Sequence, residues 1–446
     1  MDIVYFWLTT LAIICYAKKS YYTFIILLFS ILSNVWGICS TGLVQVYDWI
    51  FLTTIFTVGI GCCRSNTFFS VKRDKIGKLI LILTVYVLLA ALISPLRGVE
   101  TFGFSFMVAR FDIFYLLYFV FRTIPFPAIK KAVKPLAILS VFNGILYYLQ
   151  YAGIFILYSS DESMAGVENA RFNNIPILTL VFFFFFFLYK KKGILKSILL
   201  IFFGGIIVCS QNRAMILGVA LAIVIVICCN YRRKIVEKKT IIGILLIGIM
   251  SSGVLAYRFS EKGSTGEGIR AEFELGYTML KNGSWRYYDN QIIEYGGTMA
   301  FRFCMILEKA TYLVDRPISL IFGAGSYHEN SMNTRHLPFS FGSNTTDGRA
   351  KVDTDDVALL SRFFRYGVLY LCFYFAFIGR TIRVSRLCKH SLLANLYFML
   401  MVSLIGWAIC GDVFHRPQTF IPALLLISQL LKEASHEAKK NSILLS

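Results

Sequence analysis

With 446 residues, 57% of them hydrophobic and only 16% charged, the chain falls outside the soluble globular class, which averages about 45–50% apolar and about 25% charged. Its formal charge of +20 invites a nucleic-acid reading, but the lysines and arginines sit in short links between apolar runs. That is the placement expected of cytoplasmic loops, and it argues against a nucleic-acid partner.

Apolar runs of about 15–24 residues recur along the chain, each long enough, or nearly so, to cross a hydrocarbon core about 30 Å thick. Backbone polar groups in lipid must be satisfied within the segment, so the runs are expected to be helices. Hydropathy predicts spans at 3–16, 21–38, 43–62, 79–96, 104–121, 135–158, 174–189, 194–210, 214–230, 240–257, 356–378, 391–411 and 418–431. The first lacks a basic leader and reads as a retained span, with the N-terminus left on either side. The phenylalanine run 182–187 reads as lipid-facing bulk. Most of the 11 cysteines lie inside apolar runs, so no disulfide framework is indicated.

Alternate links are basic: Lys18 and Lys19; Arg64 to Lys78; Arg122 to Lys134; Lys190 to Lys192; Arg232 to Lys239; Arg380 to Lys389; and the tail from Lys432. The positive-inside rule makes these links cytoplasmic. The expected fold is an all-α integral membrane protein of about 12–13 transmembrane helices. About ten fall in 1–257 and about three in 356–431, with a cytoplasmic tail at 432–446. The outward links are 39–42, 97–103, 159–173, 211–213, 258–355 and 412–417, and only 258–355 has room for a small domain. That loop is expected to be partly helical, with helical spacing at 267–282 and an amphipathic pattern at 296–315. After Pro317 come a short apolar run, a Gly-x-Gly turn and a polar stretch that leads straight into the next span.

Arg171, Arg213 and Arg416 stand at membrane boundaries on the side where positive charge is disfavoured. One reading is snorkelling onto lipid headgroups. The other is a shared anion site, since planar guanidinium groups bind phosphate oxygens bidentately. Asp353, Asp355 and Asp356 lie where the large loop meets the next span. One reading is helix capping, for which a single acid suffices; the other is a general base that deprotonates a sugar hydroxyl. Arg362 and Arg365 lie inside that span, in structural or substrate roles, and Arg110 with Asp112 poses the same question. His336 and His415 are alternative bases, and neither His328 nor His336 has metal-ligand spacing, so no metal or cofactor is expected. Trp285, Tyr287 and Tyr288 are either sugar-stacking faces or loop packing.

The segments ENARFNNIPILTLV, SQNRAMILGVAL, MAFRFCMILEKATYLVDRPISLIFGAG and TDDVALLSRFFRYGVLYL, in this order, resemble those of the bacterial O-antigen polymerase and ligase superfamily over roughly 160–380. The resemblance implies a GT-C-like polytopic glycosyltransferase of the bacterial inner membrane with its active site facing the periplasm. It further implies metal-independent inverting transfer from undecaprenyl diphosphate, with Arg171, Arg213 and Arg302 holding the leaving group. Arg416 joins them by its position, Asp356 or Asp355 is the expected base, and His336 and Arg365 are secondary candidates. The ligase branch carries a His–Asn pair where this chain has Asp355–Asp356, which favours the polymerase branch. Expected partners are the lipid-linked donor and acceptor, the bilayer and a chain-length regulator. The alternatives are a ligase that moves finished polymer to lipid A core and, in another class, a lipid-linked oligosaccharide flippase or other transporter.

Overall fold

Within the apolar runs, helix formation satisfies every backbone group inside the segment, and the observed elements follow the runs closely. The computed structural model describes residues 3–33, 46–66, 68–69, 74–152, 154, 177–189, 193–210, 212–233, 297–339, 343–345, 348–350, 352, 357, 359–387, 391–408, 413–414 and 416–444. The helices are α1 (Ile3–Ala17), α2 (Tyr21–Leu32), α3 (Val46–Arg64), α4 (Lys75–Leu96), α5 (Phe102–Ile113), α6 (Leu117–Thr123), α7 (Phe126–Tyr151), α8 (Ile177–Leu188), α9 (Ile194–Cys209) and α10 (Arg213–Arg233). After the undescribed residues come α11 (Gly297–Val314), α12 (Pro317–Phe322), α13 (Leu360–Leu387), α14 (Leu392–Trp407) and α15 (Pro417–Leu444). Among the described residues, five helices are long and apolar enough to cross a membrane: Val46–Arg64, Lys75–Leu96, Phe102–Thr123, Phe126–Tyr151 and Leu360–Arg386. Shorter apolar helices of 10–17 residues accompany them, among them Ile3–Ala17, Tyr21–Leu32, Ile177–Leu188 and Leu392–Trp407. Among the described residues the only strands are Ser343–Thr345 and Gly348–Ala350, a short antiparallel hairpin in the large loop.

Three departures from the hydropathy reading have physical reasons. Helix α7 begins at Phe126, nine residues before the predicted span, because Pro127 stands in the first turn, where a missing N–H costs nothing. Helix α15 runs on to Leu444 through the predicted tail, whose Lys, Glu and Ala are good helix formers. The phenylalanine run is not lipid-facing bulk: Phe182, Phe183, Phe184 and Phe187 are buried, and Phe186 stacks on Phe203 of α9 at 6.2 Å. Hydropathy scores such a run alike whether it meets lipid or protein. The predicted span 240–257 and helix 267–282 lie outside the described residues.

Helix α11 is the amphipathic helix expected at 296–315. Its Leu313 joins Ala324, Leu337, Phe339, Val352 and Phe364 in a small core that seats the loop on the start of α13. Lys309 is buried there, with its ammonium 4.7 Å from the centre of the Phe339 ring and 3.4 Å from Glu308. Helices α10 and α14 meet through glycine: a Cβ on Gly218 would lie 2.4 Å from the Ser403 carbonyl, and one on Gly406 would lie 2.4 Å from the Gly218 Cα. Small residues let helix backbones approach this closely in apolar surroundings.

Candidate functional site

The end of the bundle that carries the large loop is organised around a break in α13. Gly367 has φ 74° and ψ −174°, so the helical ladder stops there and frees the carbonyls before it. Each of three finds a new donor. Ala324 N–H donates to Phe364 O at 2.8 Å, Gly325 N–H to Arg365 O at 3.3 Å, and the Tyr86 hydroxyl to Tyr366 O at 2.8 Å. The Gly-x-Gly turn at 323–325 is therefore the strand of loop that closes the broken helix, as buried non-helical backbone requires.

From that turn the loop runs over the α4–α5 link. Ser326 N–H donates to Ser94 Oγ at 2.8 Å, and Asn333 Nδ2 donates to Val99 O at 3.1 Å. Glu100, only 3% exposed, accepts from Ser331 Oγ at 2.7 Å, His328 N–H at 3.2 Å and Thr101 N–H at 2.9 Å. Arg365 donates from Nε to Tyr327 O at 2.9 Å, with Glu329 at 3.8 Å. The loop is thus clamped by one buried carboxylate and one buried guanidinium.

His328 stacks on Phe104 with centroids 4.9 Å apart, and its Nδ1 accepts from Asn330 N–H at 3.2 Å. Burial, then the nearby Arg365 and Arg110, push its pKa down to about 4. The ring is neutral at pH 7 with its proton on Nε2, a hydrogen-bond donor. Its folded pKa lies below the ordinary 6.5, so between pH 6.5 and 4 the unfolded chain takes up a proton that the folded chain refuses. Stability therefore falls as pH drops through that window and is level above it. Expected: the thermal midpoint of detergent-solubilised protein drops less between pH 7 and 4.5 in His328→Asn than in the parent. Equal slopes would contradict the assignment.

Deeper in the bundle lies a buried ion pair. Asp112 stands at the middle of the 22-residue span Phe102–Thr123, where a 3₁₀ turn at Phe114–Leu116 interrupts the helix. Arg362 Nη2 donates to its Oδ1 at 2.7 Å; the side chains are 1% and 2% exposed. Arg362 Nη2 also reaches Phe414 O at 3.4 Å, and its guanidinium lies 5.0 Å from the Tyr374 ring centre. Tyr115 donates to Phe414 O at 3.0 Å and sits 3.2 Å from the Tyr374 hydroxyl. Arg110 does not pair with its neighbour Asp112: it bonds Asp48 of α3. Residues two apart on a helix face different ways, so each finds a partner on another element.

The residues singled out from the sequence are distributed as follows. Arg213 is the first residue of α10, after Asn212, whose Oδ1 accepts from Met215 N–H at 3.1 Å and caps the helix. Arg416 immediately precedes α15, where its carbonyl accepts from Thr419 Oγ1 at 2.8 Å. The α10–α14 glycine contact sets the start of α10 beside the end of α14, and the Arg362–Phe414 bond ties the turn before α15 to the start of α13. Arg213 therefore heads a helix packed on α14, and Arg416 precedes α15, which packs on both α14 and α13. Arg302 lies in α11, which packs on α12 and α13. Arg365 holds the loop, and His336 is exposed in the 3₁₀ turn Met332–His336. Arg171, Asp355 and Asp356, with His415, Trp285, Tyr287 and Tyr288, lie outside the described residues. Sequence reasoning passed over Glu100 and weighed His328 only as a ligand or base, not as part of the loop's docking. The signal available was a lone acid in a short outward link. Among the described residues no group of three or more His, Cys, Asp or Glu side chains is placed to hold a metal ion.

No protein-family model matches the chain, and neither does any curated protein.

Proposed function

We propose that the protein is a polysaccharide polymerase of the O-antigen type, with about 12–13 spans in the bacterial inner membrane and its site at the periplasmic face. The growing glycan leaves undecaprenyl diphosphate and joins a second lipid-linked repeat unit. An acceptor hydroxyl attacks the anomeric carbon, the bond from that carbon to the diphosphate oxygen breaks, and the hydroxyl proton passes to Asp356 or Asp355. Arg213, Arg171, Arg416 and Arg302 compensate the charge that develops on the departing diphosphate, an electrostatic stabilisation made by preorganised donors. The observation that carries this reading is that α10, α13 and α15 all pack on α14, with the start of α10 against its end and the turn before α15 bonded to the start of α13.

The test is polymerisation in vitro, with purified protein and a lipid-diphosphate repeat unit but no added metal or nucleotide. A ladder of lipid-linked oligomers is expected. A transporter reading draws on two observations: charge pairs inside spans and a helix broken at Gly367. Under that reading the purified protein forms no oligomers but moves the lipid-linked unit across proteoliposomes. Ligase activity would appear in cells instead, as long chains left on the carrier when the protein is absent.

A further inference from the structure

The Arg362–Asp112 pair is not among the groups assigned to the diphosphate, and three observations show what it connects. First, Asp112 belongs to the middle of a span, so the pair is held in the bundle interior, with Tyr115 and Tyr374 against the guanidinium. A charge pair kept there needs a reason beyond solubility or surface chemistry. Second, Arg362 lies in the short segment of α13 before the Gly367 break, two residues past the start of the helix. Third, the same Nη2 that bonds Asp112 reaches Phe414 O, and Tyr115 donates to that carbonyl as well. Phe414 is two residues before Arg416, and the intervening turn is stitched onto α15 by Thr419, whose hydroxyl bonds both Val413 O and Arg416 O.

One guanidinium thus joins three elements: the α5 span through Asp112, the first half of α13, and the turn that presents Arg416. The loop-bearing segment of α13 is itself tied to the Gly-x-Gly turn by the carbonyls of Phe364 and Arg365. Arg362 therefore stands between the Arg416 turn and the docked loop. The Asp112 carboxylate orients the guanidinium and balances its charge, which leaves a donor for Phe414 O.

We propose that Arg362 and Asp112 are positioning residues, setting the Arg416 turn against the first half of α13. This rests on the reading of Arg416 as a ligand of the leaving diphosphate. A pair that merely holds the bundle together predicts that any replacement restoring stability restores activity. A positioning pair predicts a separation of the two, because an apolar pair of similar volume fills the space without bonding Phe414 O.

The decisive variant is Arg362→Met with Asp112→Leu. Replacing a buried ion pair by packed apolar residues is often neutral for stability, so its thermal midpoint and size-exclusion profile are expected to match the parent. Its kcat in the polymerisation assay is expected to fall by about 10²-fold, the scale of a misplacement near 1 Å, with KM for the lipid-linked unit changed much less. Arg362→Lys, which keeps the charge but not the fork, is expected to recover only part of kcat. A double variant with parental stability and parental kcat overturns the proposal.

A second readout needs no turnover. Genetically encoded spin labels at Val357 and Gln418 report the separation of the two segments, and the distance distribution is expected to broaden in the double variant. An unchanged distribution overturns positioning even if the parent protein shows no polymerisation. A broadened distribution in an inactive parent keeps the positioning and rejects the polymerase reading instead.

Discussion

Arg213→Ala and Arg171→Ala are each expected to abolish chain elongation while leaving the protein inserted and abundant. For Arg213 the argument starts from helix chemistry. The first turn of a helix is its positive end, where a cation is disfavoured by a few tenths of a kcal/mol to about 1 kcal/mol. Asn212 already caps α10, so the arginine contributes nothing that the helix start requires. A cation at such a position is explained by an anion in front of it, and the positive end of the helix adds to the attraction. Removing a donor that stabilises charge in a transition state typically costs about 10²–10³ in kcat. Arg171 is argued from the sequence alone, as the one cation of the predicted outward link 159–173. Complemented cells lacking the native gene would be compared for surface-polysaccharide banding and for protein level by immunoblot. Wild-type banding in both mutants would falsify the diphosphate site. Loss of the protein itself would point to a role in folding.

Gly367→Ala is expected to produce the largest loss of folded protein of any single alanine substitution in α13. The backbone there, at φ 74° and ψ −174°, is a conformation reached almost only by glycine, and a side chain in it costs on the order of 1–3 kcal/mol. Space compounds the cost, because a Cβ would sit 2.4 Å from Ile321 O and 2.5 Å from Gly323 N, both backbone atoms. Neither can yield without separating the loop from the broken helix, which would strip donors from the Phe364 and Arg365 carbonyls. Gly379 on the same helix is the control, since a Cβ there meets nothing within 4 Å. Gly379→Ala is expected to leave the thermal midpoint within about 1 °C or to raise it slightly, by the helix propensity of alanine. Fluorescence-detected size exclusion and thermal melts in detergent would measure both. A Gly367→Ala protein that elutes and melts like the parent would show that the loop does not rest on the break.

The helices were legible because hydrophobic length is a local property. Each apolar run contains its own reason to be helical, and the amphipathic pattern of α11 did the same for the loop. Sidedness in the phenylalanine run was not legible, since an all-apolar stretch has no polar face to mark which way it turns. The ion pairs were not legible either. Arg110 finds Asp48 and Arg362 finds Asp112 across long stretches of chain, and no local rule selects among the acids available. Arg365 was expected inside a span in a structural or substrate role, and only its hydrogen bond to Tyr327 O shows that it clamps the loop.

For the large loop, the sequence by itself determined that the polar residues gather between two spans and end in an acidic lip. It also marked the Gly-x-Gly turn at Gly323 and Gly325, and it placed Gly367 within the segment that leads from the loop into the next apolar run. Only the tertiary structure decided that these glycines meet each other, that Glu100 holds the loop down, and that one buried guanidinium links α5, α13 and the turn before α15. The physical reason is range. Helix formation and hydrophobic length are settled within a few turns of chain, whereas the placement of a charge in a bundle is settled by whichever distant group can compensate it there.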